Sequence, residues 1–461
     1  MPDTPPDTLP DTLTDARPAP FTPPVMRAPE RELPLLALLR AFRTNALTAW
    51  PRAAYESPVL VRPFFGRRSA LLNDPAAIRE VLLDGEERFG RSAATIRLLR
   101  PLLGRGLFLA EGAAWKHQRR TLAPAFTPRA IGLLVPRMQA AIAEELERLE
   151  AAARQRTSLD LLTASQHLAL EVAGRTMLSI GMRRFAPTLR QMVFRYGREG
   201  SPATLDLLLP AAIMTPRDMV RGRHGRRWMD FVGRIMAARR QAGPDGPRDL
   251  LDLIEQARDP ETGRGFSAVE LRDQIATMIL AGHETTALTL FWSLALLAQA
   301  PEWQALVAEE AAAAGGDPAR MRLARAVVEE ALRLYPPAFA IVRVAKRKEV
   351  LAGAELAPGD AAVVAPWVLH RHRKLWPAPD AFDPRRFLAP APPPERFSYL
   401  PFGAGPRACI GAQFALVEAT LALSAIIGRF RIALADQRPV LPVAVMTTVP
   451  DHVPGFRVRR R

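Results

Sequence analysis

Residues 268–300 read as one uninterrupted helix that is apolar on every side. Ser267 with Glu270 spells a capping box at its start, and Pro301 marks its end. At 1.5 Å per residue such a helix is roughly 50 Å long, enough to cross a whole domain. A helix without a polar face must be buried. The chain's 461 residues are ample to build a core around it.

The rest of the chain follows from that core. Helical periodicity dominates from about 74 to 335, for example at 136–153, 165–180, 217–241 and 302–314. The short apolar runs Val59–Val61 and Ser69–Leu72, parted by a turn at Phe65–Arg68, predict a hairpin. After 336 the chain breaks into short apolar pieces, prolines and turns, followed by one more long helix from 412. The fold class is therefore mainly α with a small β portion. Residues 1–33 are rich in Pro, Asp and Thr without periodicity and read as a flexible tail. By average domain size a chain of this length suggests about three domains.

Cys409 is the only cysteine, which excludes an internal disulfide and any multi-cysteine zinc or iron–sulfur site. An inert buried thiol, a nucleophile or a single thiolate ligand remain. Its setting, Phe402-Gly403-Ala404-Gly405-Pro406-Arg407-Ala408-Cys409-Ile410-Gly411, favours the ligand. The glycines allow tight turns and close approach of a flat group, and Arg407 offers a fork for a carboxylate. A helix beginning just after the cysteine is expected to depress its pKa.

In the middle of the long helix stands Ala281-Gly282-His283-Glu284-Thr285-Thr286. Glycine and threonine are poor helix residues, so the placement asks for a reason. Met278, Ala281, Gly282, Thr285 and Thr289 share a face by three/four spacing. Thr285 can bond the carbonyl of Ala281 and open the helix locally. A zinc-protease reading of His283-Glu284 fails, because the second histidine position is Ala287. His370 and His372 read as loop or structural residues, not metal ligands.

These segments resemble the cytochrome P-450 (haem-thiolate monooxygenase) family, in the manner of its soluble bacterial members. The cysteine loop matches the family's haem-binding motif, and Ala281–Thr286 its oxygen-activating motif. The likeness runs from about 40 to 461 and implies a single domain over 34–461, with the loop 203–214 as an entry lid to its pocket. It implies haem b (iron protoporphyrin IX), held between the long helix and the loop, with Cys409 as axial thiolate and metal ligand. Phe402, Gly282 and Gly411 would lie against it, and Trp115, Arg119, Arg343 and Arg407 would hold its propionates. Thr285 and Glu284 become the catalytic residues of oxygen activation and proton relay. Glu330 and Arg333, with Arg386 of Phe382-Asp383-Pro384-Arg385-Arg386-Phe387, match the family's structural Glu-Arg-Arg network. Pro394-Glu395-Arg396-Phe397 is the less favoured source of the second arginine.

Pocket candidates are Leu102, Leu103, Leu107, Met278, Ala281, Phe339, Ile341 and Met446, all apolar and without a charged group among them. The resemblance implies hydroxylation of a lipophilic substrate with O2 and electrons from a separate ferredoxin- or flavodoxin-type donor. Alternatives are a haem-thiolate peroxygenase or isomerase, or a haem sensor or carrier. The formal charge of +16 suits an acidic donor near Lys116, Arg119 or Arg120. No nucleic-acid motif accompanies that charge. No apolar run reaches the roughly 20 residues that span a bilayer, and no signal pattern opens the chain. A cytoplasmic protein without a membrane anchor is the expectation.

Overall fold

The structure, a computed structural model, describes residues 18–461 except 86, 156–157, 201–205, 207–208, 210–211 and 244–248. Most of the expected lid, 203–214, lies outside the described residues, as does the tail up to 17. Within the remainder of that tail, Phe21 bridges to Phe382 and meets its ring edge-on at 5.5 Å. Helices take up 56% of the structure and strands 12%, so the mainly α reading holds.

The central helix runs Ala268–Gln299, and the Ser267–Glu270 capping box is formed. Every residue from Thr286 to Leu297 is buried, so no face of this half meets water. Each Leu or Phe in that run contributes about 1.5–3 kcal/mol by burial. The helix packs most widely on Leu161–Met177, and also on Arg322–Leu334 and Ala412–Arg429. Ala412–Arg429 is the one described helix long and apolar enough to span a membrane, but most of it is buried inside the fold.

Beside this helical body lies a five-stranded sheet in the order Val59–Phe64, Arg67–Leu72, Ala361–Val364, Ile341–Ala345, Phe89–Gly90. The first two form the expected hairpin. Its turn residues Phe65 and Gly66 both have positive φ, the form that suits the twist of paired strands. Ile341–Ala345 runs antiparallel to Ala361–Val364 with Arg343 opposite Ala362. That pairing fixes Arg343 on the sheet, next to the site.

Candidate active site

The cysteine loop is a tight construction. Cys409 N–H donates to the carbonyl of Phe402 at 2.8 Å, and Ala408 N–H to that of Gly405 at 3.0 Å. Gly403 and Gly405 have φ of 71° and 72°, which a side chain resists. A Cβ on Gly405 would sit 2.1 Å from the carbonyl oxygen of Leu82, so the loop seats on the helix Pro75–Leu82 only with glycine there. Cys409 has open surface, yet burial still pushes its thiol up, against smaller downward effects from Gly411 N–H and Arg119. Both hold for a sulfur on the floor of a walled recess. The depressed thiol expected from the nearby helix start is therefore not found in the protein alone. A coordinated metal ion would deprotonate it outright.

Four arginines surround this recess. Arg119 donates to the carbonyl of Ala408 at 3.0 Å, and Arg407 to that of Ala110 at 2.6 Å. The Arg407 guanidinium lies 4.3 Å from the centre of the Trp115 ring, and Arg343 donates to the carbonyl of Val342. Sequence reasoning missed Arg91. Burial, then repulsion by Arg343 and Arg407, lowers it to about 9, with Glu111 opposing. It stays charged at neutral pH, and its buried Nε has no partner. Burial and Arg407 likewise lower Arg343. Desolvated like charges this close call for an anion between them. Arg91 follows Phe89-Gly90 and precedes the helix Ala93–Leu103; nothing local in that stretch marks it as part of a site.

Across the recess, Thr285 Oγ1 donates to the carbonyl of Ala281 at 2.6 Å, as the spacing predicts. Thr289 and Ser293 repeat the pattern on Thr285 and Thr289, a habit that bends helices. Burial raises the pKa of Glu284, and a hydrogen bond from Thr447 Oγ1 at 3.0 Å lowers it in part. His283 is buried and pushed down to about 4, chiefly by desolvation. It is a neutral core histidine. Gly282 faces Met177, whose Cε would stand 3.6 Å from an added Cβ.

A cavity of about 410 Å3 opens beside Ala281, Glu284 and Thr285. Leu102, Leu103, Ala281 and Met446 line it, as expected. Leu107, Met278, Phe339 and Ile341 are not among its lining residues. Leu107 is tied back by its N–H to Gln274 Oε1. Met278 is buried because the cavity face of the central helix is Thr277, Leu280, Ala281, Glu284 and Thr285, one position away from the stripe read off the sequence. Ile341 instead approaches Gly403, 3.7 Å from its would-be Cβ. Phe339 is partly buried against the main core, its carbonyl accepting from Trp367 N–H. Beyond the apolar candidates, Arg195, His224 and Arg227 line the same cavity. They come from the helices Ala186–Glu199 and Pro216–Ala242, whose place over the site cannot be read from local spacing.

Behind the loop lies a buried network. Arg333 holds Glu330 in a two-pronged pair, Nε to Oε2 at 2.7 Å and Nη2 to Oε1 at 2.8 Å. It also donates to the carbonyls of His370, Pro379 and Ala381. Glu330 accepts from Asp383 N–H at 2.8 Å, and Arg386 stands 3.5 Å away. Arg396 instead lies over Phe397. His370 carries the network onward: Leu400 N–H donates to its Nε2 at 2.8 Å. Desolvation pushes His370 down to about 3, which keeps the ring neutral and that nitrogen an acceptor.

The site fits a haem. Cys409 offers one thiol in an open-floored recess, and Gly411 has only Phe126 Cε1, at 4.0 Å, near its would-be Cβ. The clustered, desolvated arginines suit a group that carries two carboxylates. Among the described residues no group of three or more His, Cys, Asp or Glu could hold a metal ion.

Comparison with known proteins agrees. A family model described as Cytochrome P450 matches residues 52–451. Cyclooctatin synthase of Streptomyces melanosporofaciens is 34% identical over 372 residues, covering 77% of this chain and 79% of its own. Cyclooctat-9-en-7-ol 5-monooxygenase of the same organism is 32% identical, covering 79% and 80%. The crystal structure of the haem domain of cytochrome P450DA superposes with a TM-score of 0.76 at 27% identity, covering 88% and 90%.

Proposed function

This chain belongs to the cytochrome P450 family and is a haem-thiolate monooxygenase; from that premise we propose that it hydroxylates a small lipophilic substrate with electrons from a separate protein. The supporting observation is that Glu284 and Thr285 open into one largely apolar cavity of about 410 Å3. The cofactor is haem, in this reading haem b, with Cys409 as its thiolate ligand. When bound it supplies electron transfer, O2 activation and the bond chemistry.

The protein's own residues do the rest. Cys409 presents its sulfur from a loop that cannot shift without breaking the contacts of Gly405 and His370. Arg91, Arg119, Arg343 and Arg407, with Trp115, hold the propionates. Thr285 turns its hydroxyl oxygen to the cavity while its proton is engaged by Ala281. Glu284, its pKa raised by burial, is placed to take up and pass on a proton at the cavity wall. Leu102, Leu103 and Met446 grip an apolar substrate body and exclude water. The polar rim of Thr188, Gln191, Arg195, His224 and Arg227 suits a substrate with one polar end. A compact unsaturated alcohol, as in the name of the relative cyclooctat-9-en-7-ol 5-monooxygenase, belongs to that class.

The electron donor in this reading is an acidic ferredoxin- or flavodoxin-type protein, and the enzyme works in the cytoplasm. Arg119 faces inward to Ala408, and Arg120 is engaged by Asp259 and Glu261. Of the three expected docking residues, exposed Lys116 is the one left for a partner. Product formation requiring both O2 and an electron donor tests the function. Product from peroxide alone, or without any oxidant, would replace it with a peroxygenase or isomerase.

A further inference from the structure

Glu284 is held by a single side chain. Burial and the Thr447 hydrogen bond account for its shift; no charged neighbour is involved. The titratable or charged groups around the same cavity are His224, Arg195, Arg227 and Tyr196; His224 is paired with Glu199 at 2.8 Å, and the Tyr196 hydroxyl donates to the carbonyl of Leu98. A lone carboxyl in an apolar wall has several rotamers, and only a partner selects one.

That partner stands on a fixed mount. Thr447 lies in the turn between the paired strands Pro442–Ala444 and Thr448–Pro450. Its neighbour Thr448 is bonded on three sides. Thr448 Oγ1 donates to the carbonyl of Pro336 at 2.7 Å, and its N–H to that of Pro337 at 3.2 Å. Trp292 Nε1 donates to its carbonyl at 3.0 Å. Trp292 lies on the central helix, eight residues beyond Glu284, and stacks on Tyr335 at 4.0 Å. Acid and donor are thus referenced to one helix. On the other side of Thr447 is Met446, part of the cavity wall.

We infer that Thr447 is a positioning residue for proton delivery, its hydroxyl aiming the Glu284 carboxyl along the cavity wall. The inference rests on the monooxygenase reading. A general acid works only within hydrogen-bond reach of its target, directly or through a water, and the turn between the strands Pro442–Ala444 and Thr448–Pro450 sets that reach here. Nothing in the sequence around Thr447 signals it.

Two variants, T447V and T447S, test the assignment by two readouts. The first is the titration of the Glu284 carboxyl by infrared difference spectroscopy, assigned with E284Q; it requires no turnover. In T447V the carboxyl should titrate at higher pH than in the wild type, and T447S should restore it. The second is turnover: T447V should lower kcat by roughly tenfold with KM little changed, divert reducing equivalents to peroxide, and recover in T447S. An unchanged titration in T447V overturns the contact. A shifted titration with unchanged kcat and coupling overturns the role in proton delivery. If the wild type forms no O2-dependent product, the monooxygenase reading itself has failed, and the infrared arm still decides whether Thr447 orients Glu284.

Discussion

The two sides of the recess are built on opposite plans. On the cysteine side, polar contacts from many segments converge. Arg333 alone ties Glu330 to three loop carbonyls, and His370 relays the network to Leu400, just before the loop. On the cavity side the wall is largely apolar with Arg195, His224 and Arg227 in it, and the Glu284 carboxyl takes a single side-chain contact, from Thr447. The lesson is a division of labour. The cysteine side is braced by a buried ion pair with many partners; the carboxyl on the cavity side depends on one.

That contrast can be broken in order of effect. Glu330→Ala or Arg333→Ala leaves an unpaired charge in the core and should cost about 3–5 kcal/mol. Denaturant unfolding should show it, together with loss of haem retention. On the opposite wall, Thr285→Ala and Glu284→Gln should leave stability nearly unchanged. They should lower product formation by roughly ten- to a hundredfold, with peroxide rising; equal losses of stability on both sides would erase the contrast. Met446→Ala should be milder still, weakening substrate binding by about 1–3 kcal/mol and leaving the haem spectrum as it was.

The pH dependence of stability sharpens the comparison from the cysteine side. Glu418, on the helix after Cys409, is buried with no partner for its Oε1, and desolvation raises its pKa well above the ordinary value. A raised acid stabilises the fold fully below its unfolded pKa, and that contribution disappears as pH rises through the folded value. Glu145, raised to about 7 chiefly by burial, adds a loss in the neutral range. Thermal melts should fall as pH rises from the ordinary glutamate pKa through neutral, and those of Glu418→Gln should fall less.

Legibility followed contiguity. The cysteine loop and Ala281–Thr286 each compress their chemistry into a few adjacent residues, which is why the family resemblance rests on them. Glu330 and Arg333 share one helix turn, a spacing that alone reads as a surface ion pair; the resemblance marked them as a buried network. Arg91, Thr447 and His370 act only because the fold carries them to a place their neighbours in sequence do not indicate. The pocket was half legible. Apolar residue type named Leu102, Leu103 and Met446, but which way Leu107 and Met278 turn depends on Gln274 and on helix rotation. Arg195 and Arg227 look like surface arginines in a chain already rich in them.

In the proposed function everything turns on Cys409 as the thiolate ligand of a haem. The absorption of the reduced, carbon monoxide-bound protein reports that ligand. The red-shifted band of thiolate-ligated haem is expected, abolished in Cys409→Ala; the band of imidazole-ligated haem in the wild type would overturn the assignment.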